Sequence, residues 1–282
     1  MLKPIALVNG HYECRSLKQS VPILTDLLAL EVVEEKSGEV TLKHPNTEWL
    51  LIFHEGGTQA PDKPLRNHYG VRVATNGEIE KADAYLEKMK DQYQIEIMKP
   101  RNHHFARSVH FFEPGGNWWE IESYELAVKA GMGENVLPHW KNLLPEEKFP
   151  GRGYVPQALS HGTMECYDLD RSRQFYREVL GLEVVAPSPS AKPHYVKHPA
   201  TPWYIVSLQV PLSEKKILGP NQRFTLALDS ARAVEQAQRW LKESGKETGI
   251  TGLTEISDRN GVVSFLLSDL DSNWWEIASP PQ

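Results

Sequence analysis

The chain reads as an α+β protein built from four βαβββ modules paired into two domains. Three observations predict this. The sequence repeats itself, each repeat alternates one helical period with several two-residue periods, and 282 residues is a length suited to two domains. Glu13-Cys14 recurs as Glu165-Cys166, and Leu30-Glu31-Val32-Val33 recurs at the same offset as Leu182-Glu183-Val184-Val185. Lys43-His44-Pro45 returns as Lys197-His198-Pro199. Asn117-Trp118-Trp119-Glu120-Ile121 returns as Asn273-Trp274-Trp275-Glu276-Ile277.

Each half divides again into a strand, a helix and three further strands. The first module opens near Val8, with Ser20 as helix cap and Pro22 in the first helical turn. Asn67 to Val73 opens the second, whose helix carries Ile79, Ala82, Leu86 and Met89 at helical spacing, before strands near Ile95, Val109 and Trp118. The third has an alternating run from His161 to Tyr167, a helix capped by Asp168 or Asp170, and strands at Leu182–Ala186, His194–His198 and Trp203–Leu208. Arg223 to Leu228 opens the fourth, with Val234, Ala237 and Leu241 on its helix and Gly245 as the stop. These modules cover 1–55 and 65–125 in a first domain, then 158–210 and 220–282 in a second, with 126–157 as linker.

Composition excludes several classes of function. With 31 Lys+Arg against 37 Asp+Glu, a net charge of −6, nothing draws a polyanion, and no basic run interleaved with aromatics appears, so nucleic acid is not expected as a partner. No apolar stretch approaches the ~18 residues of a membrane span, and the opening segment is too short for a secretory signal; a cytoplasmic protein with no membrane partner is expected. Cys14 and Cys166 lack the paired spacing of a zinc or redox motif and read as buried thiols.

Residues His161 to Ser172, followed by Phe175-Tyr176 and Leu180-Gly181-Leu182, resemble the opening signature of the vicinal oxygen chelate superfamily, which unites glyoxalases, bleomycin-resistance proteins and extradiol ring-cleaving dioxygenases. Gly116-Asn117-Trp118-Trp119-Glu120 and Ser272-Asn273-Trp274-Trp275-Glu276 resemble its closing strand, whose Glu is usually a metal ligand. The layout is most similar to the two-domain extradiol dioxygenases. The resemblance implies two vicinal-oxygen-chelate domains with curved, barrel-like mixed sheets; the reaction does not follow from the fold.

In that superfamily each module offers one inward residue from its first strand and one from its last. The first strands offer Asn9, His68, His161 and Arg223, and the last strands offer Glu120 and Glu276 in the second and fourth modules only. A 2-His-1-carboxylate triad is the signature of a non-haem iron oxygenase, because three ligands on one face leave positions for substrate and O₂. Arg223 cannot ligate a cation and is expected to pair with Glu276. His68 and Glu120 need one more ligand, for which His161 is preferred over His11, the two implying different module pairings. Strand alternation puts Gly70 and Arg72 on the face of His68, with Tyr69 and Val71 opposite.

A hairpin centred on Gly115 pairs His110 with Glu120, whereas the same construction at Asp271 pairs Leu266 with Glu276, so the second module has a titratable neighbour where the fourth has an inert one. In extradiol enzymes a Tyr commonly stands ten residues before the Glu, with a His about nine further back. Here His110 and Arg101 hold those places, with His103 and His104 close by. His110 and His104, with His103 behind them, are the proton-transfer candidates, since imidazole titrates near neutrality.

The function expected is an Fe(II)-dependent dioxygenase, or alternatively a Mn(II) one, that cleaves the ring of a catechol- or hydroquinone-like aromatic diol with O₂. Tyr69, Phe105 and Trp118 offer aromatic surface for that substrate. A metal-dependent lyase, isomerase or hydrolase of the same superfamily, and a metal-free small-molecule-binding protein, are the alternatives. Assembly into a homo-oligomer is left open, because such folds can exchange modules between chains.

Overall fold

The computed structural model describes residues 1–56, 67–103, 105–129, 142–186, 193–215 and 217–280. Among the described residues the strands form two curved, open sheets, of nine and eight strands, in an α+β fold. The chain gathers into two compact units: Glu13–Thr163, and Met1–Tyr12 together with Met164–Gln282.

The unit Glu13–Thr163 holds α1 (Leu17–Leu28), the meander β2 (Glu31–Lys36), β3 (Glu39–Lys43) and β4 (Leu50–Glu55), and a complete second module. That module comprises β5 (His68–Arg72), α2 (Asn76–Tyr93), β6 (Glu96–His103), β7 (Ala106–Phe112) and β8 (Trp118–Ser123). β8 runs parallel to β5, β7 antiparallel to β8, and β6 antiparallel to β7. The leading residues of β9 (Ala158–Cys166) pair antiparallel with β5 on its other side. Alternation sorts the side chains. Tyr69, Val71, Trp119 and Ile121 turn into the core with Ile79, Ala82 and Leu86 of α2, leaving the other face of the same strands for polar groups. Trp119 is fully buried, 5.9 Å from Phe53 and 6.2 Å from Tyr69, and side chains of this size each contribute roughly 1.5–3 kcal/mol by leaving water.

The other unit repeats the plan. β10 (Glu183–Val185), β11 (His194–Lys197) and β12 (Tyr204–Gln209) follow α4 (Leu169–Glu178) in it, whereas the short α3 (Glu125–Lys129) belongs to the first unit. β13 (Arg223–Ala227) lies between β1 (Ala6–Cys14) and β17 (Trp274–Ala278), with α5 (Ala231–Thr248) crossing over. β16 (Val262–Ser268) pairs with β17 and also with two short pieces, β14 (Gly252–Leu253) and β15 (Ser257–Arg259). Trp275 centres this core, 5.8 Å from Phe224 and 5.7 Å from Tyr176.

Helix ends differ from the sequence expectation in two places. α1 starts after Ser16, so Ser20 is a buried interior residue and Pro22 sits beyond the first turn. Gly245 lies inside α5, and the stop is Gly249, whose φ of 79° suits a residue without a Cβ. Asp168 does cap α4, accepting from the Arg171 N–H. Among the described residues no helix is long and apolar enough to cross a membrane.

Candidate metal centre

Four adjacent strands bring one row of residues into line. His161 on β9 is opposite Gly70 on β5, Gly70 is opposite Glu120 on β8, and Glu120 is opposite His110 on β7. His68 stands two residues before Gly70 and shares its face. The glycine decides the geometry, because its missing side chain lets the His161 ring lie over β5 and reach Glu120 from two strands away. His68 Nε2 lies 3.0 Å and His161 Nε2 3.3 Å from Glu120 Oε2, and the two nitrogens are 3.4 Å apart. The other oxygen, Oε1, faces His103 Nε2 at 3.0 Å and His110 Nε2 at 3.4 Å. His103 Nε2 is also held by Ser108 Oγ at 2.6 Å.

The three ligand atoms fit a divalent ion. Ligands at about 2.1 Å from a metal stand about 3.0 Å apart at right angles and about 3.4 Å apart at a tetrahedral angle. The separations of 3.0, 3.3 and 3.4 Å fall in that range, and all three side chains are buried. Thr163 holds His68 from behind, its Oγ1 accepting from the His68 backbone N–H at 2.6 Å and standing 3.5 Å from His68 Nδ1. Among the described residues the two groups able to hold a metal are His68–Glu120–His161 and His103–His110–Glu120, which share the one carboxylate.

Electrostatics follow from burial and these neighbours. Burial by itself would raise the Glu120 pKa, but His110, His103, His161 and His68 hold the carboxyl well below its usual range. His161 is opposed by burial yet pushed up to about 9 by Glu122, with Glu120 adding to it. His110 goes the other way, lowered to about 4 by burial despite Glu120, and is neutral at neutral pH. The pair His161–Glu120 is therefore charged, and His110 is a neutral imidazole beside it.

The remaining expected site residues divide. His11 is not part of this cluster: it lies in the other unit, 3.1 Å from Thr225 Oγ1 and 3.4 Å from Glu276 Oε2. Tyr69 is buried against Trp49 and Trp119 on the face opposite His68, which makes it a core residue and corrects the expectation that it lines the substrate site. Phe105 is half exposed at the β6–β7 turn, with a φ of 67°. Trp118 is a wall of the centre, its ring centroid 5.0 Å from His68 and 5.1 Å from His110. His104 lies outside the described residues. Sequence reasoning gave no role to Glu122 or Ser160, both buried in contact with His161 Nδ1. Alternation could have found Glu122, which stands two residues past Glu120 on one strand face.

The other unit carries the same row with different residues: Asn9, Thr225, Glu276 and Leu266. Thr225 stands where the first row has glycine, and Arg223 stands where it has His68. Arg223 Nε donates to Glu276 Oε2 at 3.1 Å and Thr225 Oγ1 donates to the same oxygen at 3.0 Å, so a guanidinium satisfies the carboxylate. The expected Arg223–Glu276 ion pair is present, and no ligand set forms there among the described residues.

A fold of repeated βαβββ modules with a His/Glu cluster on one sheet face defines a class, and the family model agrees with it. The model of the Glyoxalase/Bleomycin resistance protein/Dioxygenase superfamily matches residues 11–121 and 158–277, and the chain belongs to that superfamily. Among solved structures it is similar to a provisionally described dioxygenase from Bacillus subtilis subsp. subtilis str. 168, at 15% identity over 100% of this chain and 87% of that one, with a TM-score of 0.65. It is also similar to glyoxalase I from Zea mays, at 14% identity over 98% of this chain and 92% of that one, with a TM-score of 0.60. At these identities the likeness is one of fold. No curated protein sequence matches the chain.

Proposed function

We propose that the chain is an extradiol-type ring-cleaving dioxygenase acting on a catechol- or hydroquinone-like aromatic diol, with Fe(II), or alternatively Mn(II), held by His68, His161 and Glu120. The observation that carries this reading is the convergence of two imidazoles on one oxygen of a buried carboxylate, the donor set of a 2-His-1-carboxylate centre. A bound ion would acidify the diol hydroxyls and bring diol and O₂ together.

The chain's own residues have the complementary tasks. Glu120 Oε2 is committed to the ion's side, and Oε1 orients His103 and His110. His110, neutral and buried, makes no hydrogen bond through Nδ1 among the described residues, so that atom is free to take a diol proton. Its low pKa makes the resulting imidazolium a ready donor when a proton must return. His103, held by Ser108 and partly exposed, shares Glu120 Oε1 with His110 and would exchange protons between that pair and solvent before or after turnover. Trp118 supplies an apolar wall that excludes water and can stack on a planar ring, with Phe112 behind it at 5.3 Å.

The alternative, a metal-dependent lyase, isomerase or hydrolase of the same superfamily, would use the metal as a Lewis acid without O₂, so consumption of O₂ separates the two readings. The test is anaerobic loading with Fe(II), then addition of a panel of catechols and hydroquinones with O₂ uptake followed at an electrode. Uptake equimolar with a ring-opened product is expected for at least one diol. A metal-loaded chain that consumes no O₂ with any of them would refute the proposal.

A further inference from the structure

Glu122 stands two residues past Glu120 and turns to the same face of β8, yet it is not a fourth ligand. Its Oε1 is already saturated. Arg72 donates to it from Nη2 at 2.7 Å and from Nε at 3.2 Å, Ser160 Oγ donates at 2.6 Å, and His161 Nδ1 lies 3.1 Å away. Arg72 is opposite Glu122 in the β5–β8 register and lies over the Tyr124 ring at 4.2 Å, so the guanidinium is clamped on both sides. The whole group is buried: Arg72, Glu122, Ser160 and His161 are each no more than 2% exposed.

We propose that Glu122, held in place by Arg72 and Ser160, is a positioning residue that keeps a proton on His161 Nδ1 and so presents His161 Nε2 to the metal. An ionised carboxylate only accepts, so the nitrogen facing it must donate, and the lone pair of the neutral ring then resides on Nε2, 3.3 Å from Glu120 and 3.4 Å from His68. A carboxylate behind a ligating imidazole also raises its basicity and fixes the ring plane. Arg72 cancels the charge of Glu122, which stops a second carboxylate from competing for the ion. The inference rests on the metal-binding reading of His161.

The experiment compares Glu122→Gln with the double variant Glu122→Gln/Arg72→Met, in which a neutral pair replaces the buried ion pair. Mn(II) affinity is read from the EPR signal of the free ion. Glu122→Gln is expected to weaken Mn(II) binding by about 10–100-fold. The double variant is expected to regain thermal stability without regaining affinity, because stapling β5 to β8 is not the role assigned to Glu122. Binding within twofold of the wild type in either variant would overturn the proposal. A second readout is independent of metal: ¹H–¹⁵N NMR of the metal-free protein is expected to show a protected His161 Nδ1–H in the wild type that loses protection in Glu122→Gln. A wild-type chain without that protected proton also overturns the proposal. If the wild type takes up no Mn(II), the metal reading of the site fails and the Nδ1–H measurement still decides the role of Glu122.

Discussion

The His161 ring occupies the space that a side chain on Gly70 would need: a Cβ on Gly70 would lie 2.2 Å from His161 Cε1 and 2.5 Å from Nδ1. No φ requirement is involved at this glycine; it is there for clearance. Gly70→Ala is expected to displace the imidazole from Glu120 and to weaken metal binding at least tenfold, with a stability cost of about 1–3 kcal/mol from overpacking. Metal titration alongside urea unfolding checks both. An alanine variant with wild-type affinity would mean that His161 does not bind from this position.

Metal uptake must compete with protons. In the metal-free chain His161 is held protonated up to about 9 by Glu122 and Glu120, and a ligand nitrogen must be bare. Apparent affinity is therefore expected to rise by roughly tenfold per pH unit on the acid side of that value and to level off above it. Calorimetry in two buffers of different ionisation enthalpy should show release of about one proton per ion at neutral pH. For the metal-free fold the linkage has the opposite slope. A His pKa raised from 6.5 stabilises fully below that value, and the contribution disappears as pH climbs through about 9.

The second row, with Arg223 in the place of His68, predicts one ion per chain rather than two. Arg223→Ala is expected to leave metal content unchanged and to destabilise the protein by about 1–3 kcal/mol, since Glu276 loses its charged donor while keeping Thr225 and His11. Denaturant midpoints and metal analysis of the same preparation test the two halves of this statement. A second equivalent of metal in the wild type would contradict it.

His110 and His103 are expected to affect turnover more than metal binding. Replacing His110 with Ala should slow ring opening by about 10²–10⁴-fold in single-turnover experiments while the ion stays bound. If ring opening is unchanged in both His110→Ala and His103→Ala, neither side chain transfers protons.

Much of this centre is legible in the sequence because strand periodicity and hairpin symmetry are local. The pairing of His110 with Glu120, and of Leu266 with Glu276, follows from the turn positions alone and is what the structure has. The tandem repeat likewise defines the four modules. Non-local choices are not written in a single strand. Whether β1 or the start of β9 lies against β5 decides between His11 and His161, and it depends on module packing; the Tyr69–Gly162 and Gly70–His161 register answers it. Tyr69 differs from its expected place for a simpler reason: an aromatic next to His68 on the same strand faces the other way, into the core. Gly245 reads as a helix stop, but α5 runs past it, because packing of the helix tolerates an interior glycine and Gly249 supplies the positive φ.

Whether His68, Glu120 and His161 hold the ion is decided by metal per chain, measured by elemental analysis after anaerobic purification and Fe(II) or Mn(II) reconstitution, on the wild type, His161→Ala and His11→Ala. Close to one iron or manganese per chain is expected in the wild type and in His11→Ala, and its loss in His161→Ala. A wild type that retains no metal, or a metal that survives His161→Ala and is lost in His11→Ala, would contradict the assignment of His68, Glu120 and His161 as the centre.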